Sequence, residues 1–319
     1  MTDILETLRR VKSAAARRDL VPMHSCFHFY EGRVQAQNGA VCLDAPCALF
    51  AEPVTVNAEK FWRAAKLTKC EFKYNITKGE KLSISKSKFR ALIPVLPSTD
   101  YPLVDATVGV DVPLEGFLEL ARRLRPFVSE DVSRPWSRSI LLRDAHLYAT
   151  NNVVLVRLPV PLQGEFSVPI LAIDALLDLG MEPHRVTAND KSVSFFLPND
   201  LVLTSRLMAG KWPDVESIIV PAEVEFLPDY FAETVENLIP FCDDPKFPMI
   251  VLGEHGISTS QGLTEATVDL GDFPECIFRA EPLLMVSRAA TGIAFSSYPK
   301  PCYFEGDDGV EGMILGIMK

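Results

Sequence analysis

No stretch of the 319-residue chain stays apolar for the roughly 20 residues that a membrane-spanning helix needs. The start, MTDILETLRRVKSAAARRDL, lacks an apolar run followed by a small-residue cleavage site, so no export signal and a cytoplasmic protein are expected. The seven cysteines are odd in number and include no CxxC pair; Cys42 and Cys47, the closest, have four residues between them. That excludes an obvious disulfide framework and suits reduced thiols acting as small buried hydrophobes. GxSxG, Walker and GxGxxG motifs are absent. His24, Cys26 and His28 alternate and would share one face of a strand, but a tight zinc site wants a fourth ligand and none stands at a recognisable spacing. The pairs Asp243-Asp244 and Asp307-Asp308 could imitate a two-metal nuclease, yet neighbours on a strand point to opposite faces, and EGDDG reads better as a turn. No catalytic residue, metal or cofactor is therefore expected.

Basic residues are scarce where the chain ends. Residues 1–106 hold 16 Lys and Arg against 11 Asp and Glu; residues 107–221 hold 11 against 14; residues 222–319 hold 5 against 17. The net charge of −10 thus hides a first third at +5 and a last third at −12. Such asymmetry is compatible with a surface that faces a polyanion, although a solvated charged face would look the same.

What the chain does contain is a repeat. The stretch 34-VQAQNGAVCLDA-45 is rewritten as 147-LYATNNVVLVRL-158 and again as 257-ISTSQGLTEATV-268, turning on Asn38-Gly39, Asn151-Asn152 and Gln261-Gly262. A helix precedes each hairpin. In the first, Ile4, Leu5, Leu8, Val11 and Ala15 share a face with Arg10 and Arg17 opposite; in 113–127, Leu114, Phe117, Leu118, Ala121 and Leu124 lie together, away from Arg122 and Arg123; 228–241 begins with Pro and Asp. A second helix follows each hairpin: 57–67 behind an Asn57 cap, 169–179 closed by Gly180, and one in 276–292 closed by Gly292. Short strands complete each third. The pattern predicts α+β units, antiparallel sheet backed by two helices, in domains 1–106, 107–221 and 222–319.

Four segments, in order, carry a resemblance. LTSRLMAGKWPDVESIIVP (203–221) is similar to the TSKL-x-G-R/K-F/Y-P-D-Y segment of the bacterial-type DNA polymerase III β sliding clamps. KSKFRALIPVLPSTDYP (86–102) resembles their SRF-x-L-x-x-L-P-x-x-D/E-F/Y-P, HLYATNNVVLVRL (146–158) their L-x-x-V-A-T-D-G-H-R-L, and CYFEGDDGVEGMILGIMK (302–319) their last two strands and apolar tail. The resemblance spans the whole chain and is to a divergent, shortened member, such as a phage could encode.

It implies the DNA clamp fold, with three domains forming half of a ring and two copies joined head to tail around double-stranded DNA without sequence preference. A DNA polymerase and a clamp loader would be the partners, the location nucleoid-associated, and the membrane would play no part. By the same resemblance, Arg10, Arg17, Arg18, Arg63, Lys66, Arg122, Arg123 and Arg288 would face phosphates; Arg18 stands where the family's G-R-x-x-L-P segment has its DNA-contacting Arg. The helix 228–240 carries Asp229, Glu233 and Glu236 without a base, and 169–179 carries Asp174 and Asp178, so DNA is expected to lean toward the first domain. A peptide-binding cleft would use Thr150, Leu155, Pro213, Phe247, Ile314, Leu315, Ile317 and Met318. The dimer contact would use an edge at 81–89, with Lys86 and Phe89, against Phe241 and Cys242. Two departures stand out: the family's Gly-His-Arg is Asn152-Val153-Val154 here, and the Pro of its M-P-M-R tail is Gly316. The competing readings are a clamp-like interaction protein that no longer closes on DNA and, more remotely, a metal-dependent nuclease.

Overall fold

The computed structural model describes residues 3–17, 20–77, 80–112, 116–161, 164–207, 211–259 and 262–318. Its elements run through one order three times. First come α1 (Ile4–Lys12), β1 (Cys26–Tyr30), β2 (Arg33–Gln37), β3 (Val41–Pro46), β4 (Val54–Asn57), α2 (Ala58–Thr68), β5 (Lys73–Thr77), β6 (Lys81–Lys86) and β7 (Phe89–Leu96). After β8 (Val110–Val112) follow α3 (Phe117–Leu124), β9 (Ser139–Arg143), β10 (His146–Thr150), β11 (Val154–Pro159), β12 (Phe166–Pro169), α4 (Ile170–Leu179), β13 (Arg185–Ala188), β14 (Ser192–Leu197) and β15 (Leu201–Arg206). After β16 (Glu225–Phe226) come α5 (Phe231–Leu238), β17 (Met249–Gly253), β18 (Gly256–Thr259), β19 (Thr267–Val268), β20 (Cys276–Arg279), α6 (Ala280–Ser287), β21 (Gly292–Ile293), β22 (Cys302–Glu305) and β23 (Glu311–Ile314). By compactness the chain makes two units: Met1–Arg122 with Val168–Leu207, and Arg123–Ser167 with Met208–Lys319.

The first unit is built on an eleven-stranded antiparallel sheet in the order β5-β6-β7-β4-β1-β2-β3-β15-β14-β13-β8. Its turns are set by asparagine. The Asn38 carboxamide oxygen accepts from the amides of Ala40 (3.0 Å) and Val41 (2.9 Å), which folds β2 back onto β3. Asn189 does the same for Lys191 (2.9 Å) and Ser192 (3.0 Å) between β13 and β14. The helices α1 and α2 pack on each other and on the sheet, around Phe27, Phe29 and Phe61, whose rings meet edge to face at 5.1–6.1 Å. Asn57 caps α2 by accepting from the Lys60 amide at 3.0 Å, as its sequence predicts. Gly180 closes α4 in the left-handed region at φ 61°.

Two expectations are corrected here. α1 stops at Lys12, so Arg17 sits in a bend beyond the helix and not on its face. The segment 81–89 is not a sheet edge: β6 lies between β5 and β7 with its register fixed from Lys81 to Lys86. The open positions are β5 and the first part of β7, because β4 pairs only with Val95 and Leu96.

The second unit contains an eight-stranded sheet, β12-β9-β10-β11-β23-β22-β21-β16, and a four-stranded one, β19-β18-β17-β20. Phe231, Phe278, Phe295 and Phe304 are fully buried there, and α5 packs against α6. α5 begins at Phe231, after the Pro-Asp pair. α6 ends on Arg288 in ordinary helical geometry; Gly292 is no cap but part of β21, where a side chain would strike Val224 at 2.6 Å. The third hairpin pairs Ile257 with Val268 across a longer loop. Gln261, in its expected turn, lies outside the described residues, as does Leu114. EGDDG is indeed a turn, with Asp308 at φ 59°.

β11 meets β23 across Val154–Ile314, Leu155–Met313, Val156–Gly312 and Arg157–Glu311. A Cβ at Gly312 would sit 2.1 Å from the Leu155 carbonyl oxygen and 2.5 Å from the Phe304 ring. Gly312→Ala is expected to cost about 2 kcal/mol or more, because backbone and a buried ring must both yield. Thermal unfolding checks it: Tm falls by several degrees, and an unchanged Tm would show that the contact is slack.

Candidate functional site

At the β10–β11 turn the second unit opens into a groove of about 190 Å³. The turn is held from within. Asn151 accepts from the amides of Val153 (3.1 Å) and Val154 (2.8 Å), while Thr150 Oγ1 accepts from the Asn152 amide (3.0 Å) and donates to the Val154 carbonyl (2.7 Å). Asn152 takes φ 70°, tolerable for asparagine. The Leu315 amide donates to the Val153 carbonyl at 2.9 Å, carrying the end of the chain alongside the turn. The walls are Trp136, Thr150, Asn152, Val153, Val154, Leu155, Pro213, Val215, Ile218, Pro301, Met313 and Leu315, with Arg134 at the rim. Beneath lies a core of Leu141, Tyr148, Trp212, Ile219 and Tyr303. Trp212 donates to Ser139 Oγ at 3.1 Å and meets Trp136 edge to face at 5.1 Å, so the wall is stiff.

Of the cleft residues expected from sequence, the structure brings Thr150, Leu155, Pro213 and Leu315 into this groove. Ile314 is fully buried but does not line the groove: it follows Met313 in β23, and neighbours on a strand point to opposite faces. Ile317 and Met318 lie apart: the Ile317 amide donates to the Ile277 carbonyl at 2.8 Å, and its own carbonyl accepts from the Tyr298 hydroxyl. Met318 lines a second hollow with Ile277, Tyr298 and Pro299. Phe247, half exposed, stacks on the Arg279 guanidinium at 5.1 Å. The sequence reading missed Arg134, Trp136, Val215, Ile218, Pro301 and Met313. Their signal was weak, since they come from loops and one strand with no shared period.

Most expected phosphate contacts carry a carboxylate partner. Arg10 bonds Glu6 at 2.8 Å, Arg63 bonds Glu59 at 2.7 Å and Arg288 bonds Glu236 at 2.7 Å; Arg122 bonds Glu119, and Arg123 reaches Asp308 at 3.4 Å. Hydrogen bonds from Arg9 and Arg10 outweigh burial and hold the Glu6 carboxyl down at about 2. Lys12 and Arg63 likewise lower Glu59. Lys66 and Arg17 are exposed, and Arg18 lies outside the described residues. Lys86 bonds the Thr68 carbonyl (2.7 Å) and Glu71 (2.8 Å) within its own unit. Phe89 is half-buried opposite Lys86 in the ladder; Phe241 is half exposed, and the Cys242 thiol points at the Met249 carbonyl.

Among the described residues no group of three His, Cys, Asp or Glu could hold a metal ion. His28 bonds Thr55 at 2.8 Å and stacks on Tyr101 at 4.5 Å. Asp243 accepts from the amides of Leu263 (2.6 Å) and Thr264 (3.1 Å), and Asp244 from that of Lys246 (2.9 Å), so both acids shape loops. All seven cysteines are free; five are buried, while Cys70 and Cys242 are intermediate. Burial pushes the Cys26 and Cys70 thiols up to about 11, which leaves them unreactive near neutrality. No helix among the described residues is long and apolar enough to cross a membrane.

Solved structures match this architecture end to end. The β sliding clamp of Caulobacter crescentus is 18% identical, with 99% of this chain and 97% of that one covered at a TM-score of 0.84. The fold is that of a bacterial β sliding clamp. The Pseudomonas aeruginosa clamp, solved with griselimycin, is 18% identical over 99% of this chain and 97% of that one at 0.78. The Helicobacter pylori clamp, solved with a DNA ligase peptide, is 14% identical over 99% and 98% at 0.76. No family model matches the chain, and no curated protein matches it significantly.

Next to the groove, Glu311 bonds Arg157 and Tyr303, each at 2.8 Å. Burial raises its pKa, but those bonds and the charges of Arg157 and His146 leave it below the ordinary glutamate value. A depressed acid stabilises the fold above its unfolded pKa of roughly 4 and loses that contribution as pH falls through the folded value. Urea titrations between about pH 6 and 3 should therefore show a steep acid limb in the wild type and a flatter one in Glu311→Gln. Identical limbs would mean that the pair is idle.

Proposed function

We propose that the protein is a DNA sliding clamp: three repeated domains, 1–106, 107–221 and 222–319, of which two copies close head to tail around double-stranded DNA. The observation that carries the reading is a small, stiff apolar groove built from a hairpin turn and the last strand of a chain with the clamp fold. A groove of this kind takes a few side chains of a short segment, as a polymerase or clamp loader would supply by a peptide tail. The peptide-bound Helicobacter clamp supports that assignment. Thr150, Leu155, Pro213 and Leu315 form its inner wall.

Sliding needs attraction without register, which phosphate contacts provide, since they carry no sequence information. Lys66 and Arg17 are exposed for this, and Arg10, Arg63, Arg122, Arg123 and Arg288 reach it by exchanging carboxylate for phosphate. An exposed ion pair is worth only about 0–1 kcal/mol, so the exchange is cheap. For closure, the open strand of β7 with Phe89 would meet the Phe241–Cys242 corner of a second copy. A basic first third and an acidic last third favour that head-to-tail orientation. The same masking of arginines lends some weight to the other reading, a clamp-like protein that does not close on DNA.

Light scattering and DNA retention separate the two. The clamp reading expects the mass of two 35.4-kDa chains and, once loaded, retention on circular duplex with release on linearisation. Equal release from circle and line overturns it. Within that reading, Leu315→Ala should weaken binding of a polymerase tail peptide by about 1–2 kcal/mol and leave retention on circles unchanged. Loss of retention instead would place Leu315 in ring closure.

A further inference from the structure

The three repeats differ at one sheet edge. After its second helix each repeat lays down a strand: β5 after α2, β13 after α4 and β21 after α6. In the second and third repeats a short strand from before the first helix covers the outer edge of that strand, running antiparallel to it. β8 sets Val112 against Val186 and Val110 against Ala188, and β16 sets Glu225 against Ile293. Under this cover Val186 and Ile293 are fully buried. The first repeat has no such strand among the described residues: Asp3 already caps α1, and β5 pairs with β6 alone. Tyr74 and Ile76 share a face with their ladder partners Ile84 and Leu82, which are fully buried, yet they are themselves 42% and 40% exposed. An edge strand turns alternate N–H and C=O groups outward, and no described strand meets those of β5.

We propose that this edge takes an extended segment of a partner protein, seated antiparallel to β5 as a further strand and alternating apolar with acidic residues. The strands that cover the two equivalent edges set the form. Both run antiparallel, and both put an acid beside an apolar residue: Val110-Asp111-Val112 and Glu225-Phe226. Asp111 also bonds Arg185, the first residue of the strand it covers, at 2.9 Å. The first residue of β5 is likewise a base, Lys73. More positive charge lies around it. Lys73 pairs with Ser85 and Ser85 with Arg90, so both cations stand on the face away from Leu82 and Ile84, and Lys81 stands on that face at the other end. All three are exposed, and none has a carboxylate partner among the described residues. An incoming strand therefore lays apolar side chains over Tyr74 and Ile76, sets its acids beside these bases and completes the ladder with its backbone. β6 lies between this edge and the open part of β7, so filling the one leaves the other open.

The test uses the full-length protein and a fluorescently labelled, end-capped peptide that alternates Val with Asp. Anisotropy should show binding that weakens with salt, and hydrogen exchange should show new protection in residues 73–77 and none in the turn at 150–155. N-methylation of every second residue separates strand pairing from charge attraction: methyls on the amides that face β5 should abolish binding, and methyls on the alternate amides should spare it. Lys73→Glu, at an exposed position, should weaken the Val/Asp peptide about ten-fold and favour a Val/Lys peptide instead. Lys300→Glu, an equally exposed change in the other unit, should alter neither. The proposal is overturned if the peptide does not bind, if both methylated series bind alike, or if the protection falls elsewhere. It is equally overturned if every amide of residues 73–77 is protected before peptide is added, because a second copy or the protein's own residues then fill the edge.

Discussion

The pairing of β11 with β23 is the constraint on which the candidate site depends. It sets a strand from the middle of the sequence beside the last one, Leu155 against Met313, and so brings the Asn151–Asn152 turn and the Leu315 tail to one place. Gly312 makes the approach close enough, because any side chain there would meet backbone and the Phe304 ring. Arg157 and Glu311, opposite each other in the same ladder, add a charged bond with Tyr303 at its end. Without this register the groove would lose Met313 and the far wall that Leu315 supplies.

The electrostatics follow a similar economy. Nearly every arginine near the helices is held by a carboxylate: Glu6, Glu59 and Glu119 lie one turn earlier in the same helix, and Glu236 and Asp308 come from other elements. Weak exposed pairs keep the side chains ordered while leaving them able to change partner. A protein that must hold a polyanion loosely gains from such competition, since every phosphate contact displaces an internal one.

Much of this was legible from residue types. Asn38 and Asn151 announced their turns because an asparagine side chain can bond two amides ahead, and Asn57 announced a helix start for a related reason. The same grammar at Asn189 passed unnoticed, since its strands lay outside the repeated hairpin. The end of α1 was overestimated: Ala15 continues the apolar period, but the helix stops at Lys12 and the chain bends through Ser13 to Arg17. The edge of the first unit was misplaced because pairing is long-range, and nothing in KLSISKS records that β5 lies outside it. The groove was half visible. Thr150, Leu155, Pro213 and Leu315 stand in recognisable segments, whereas Arg134, Trp136 and Pro301 reach it from loops that only tertiary structure assembles. Met318 and Ile317 looked like cleft residues from their place in the tail, but Tyr298 and the Ile277 carbonyl draw them elsewhere.

Hydrogen exchange with and without a saturating apolar peptide bears most directly on whether this groove is where partners engage. The Leu315 and Val154 amides already bond within the site, so a seated peptide should slow their exchange, together with that of residues 150–155 and 313–316, and leave β5, β6 and α2 unchanged. Protection confined to some other surface, or none where the peptide demonstrably binds, would contradict the account.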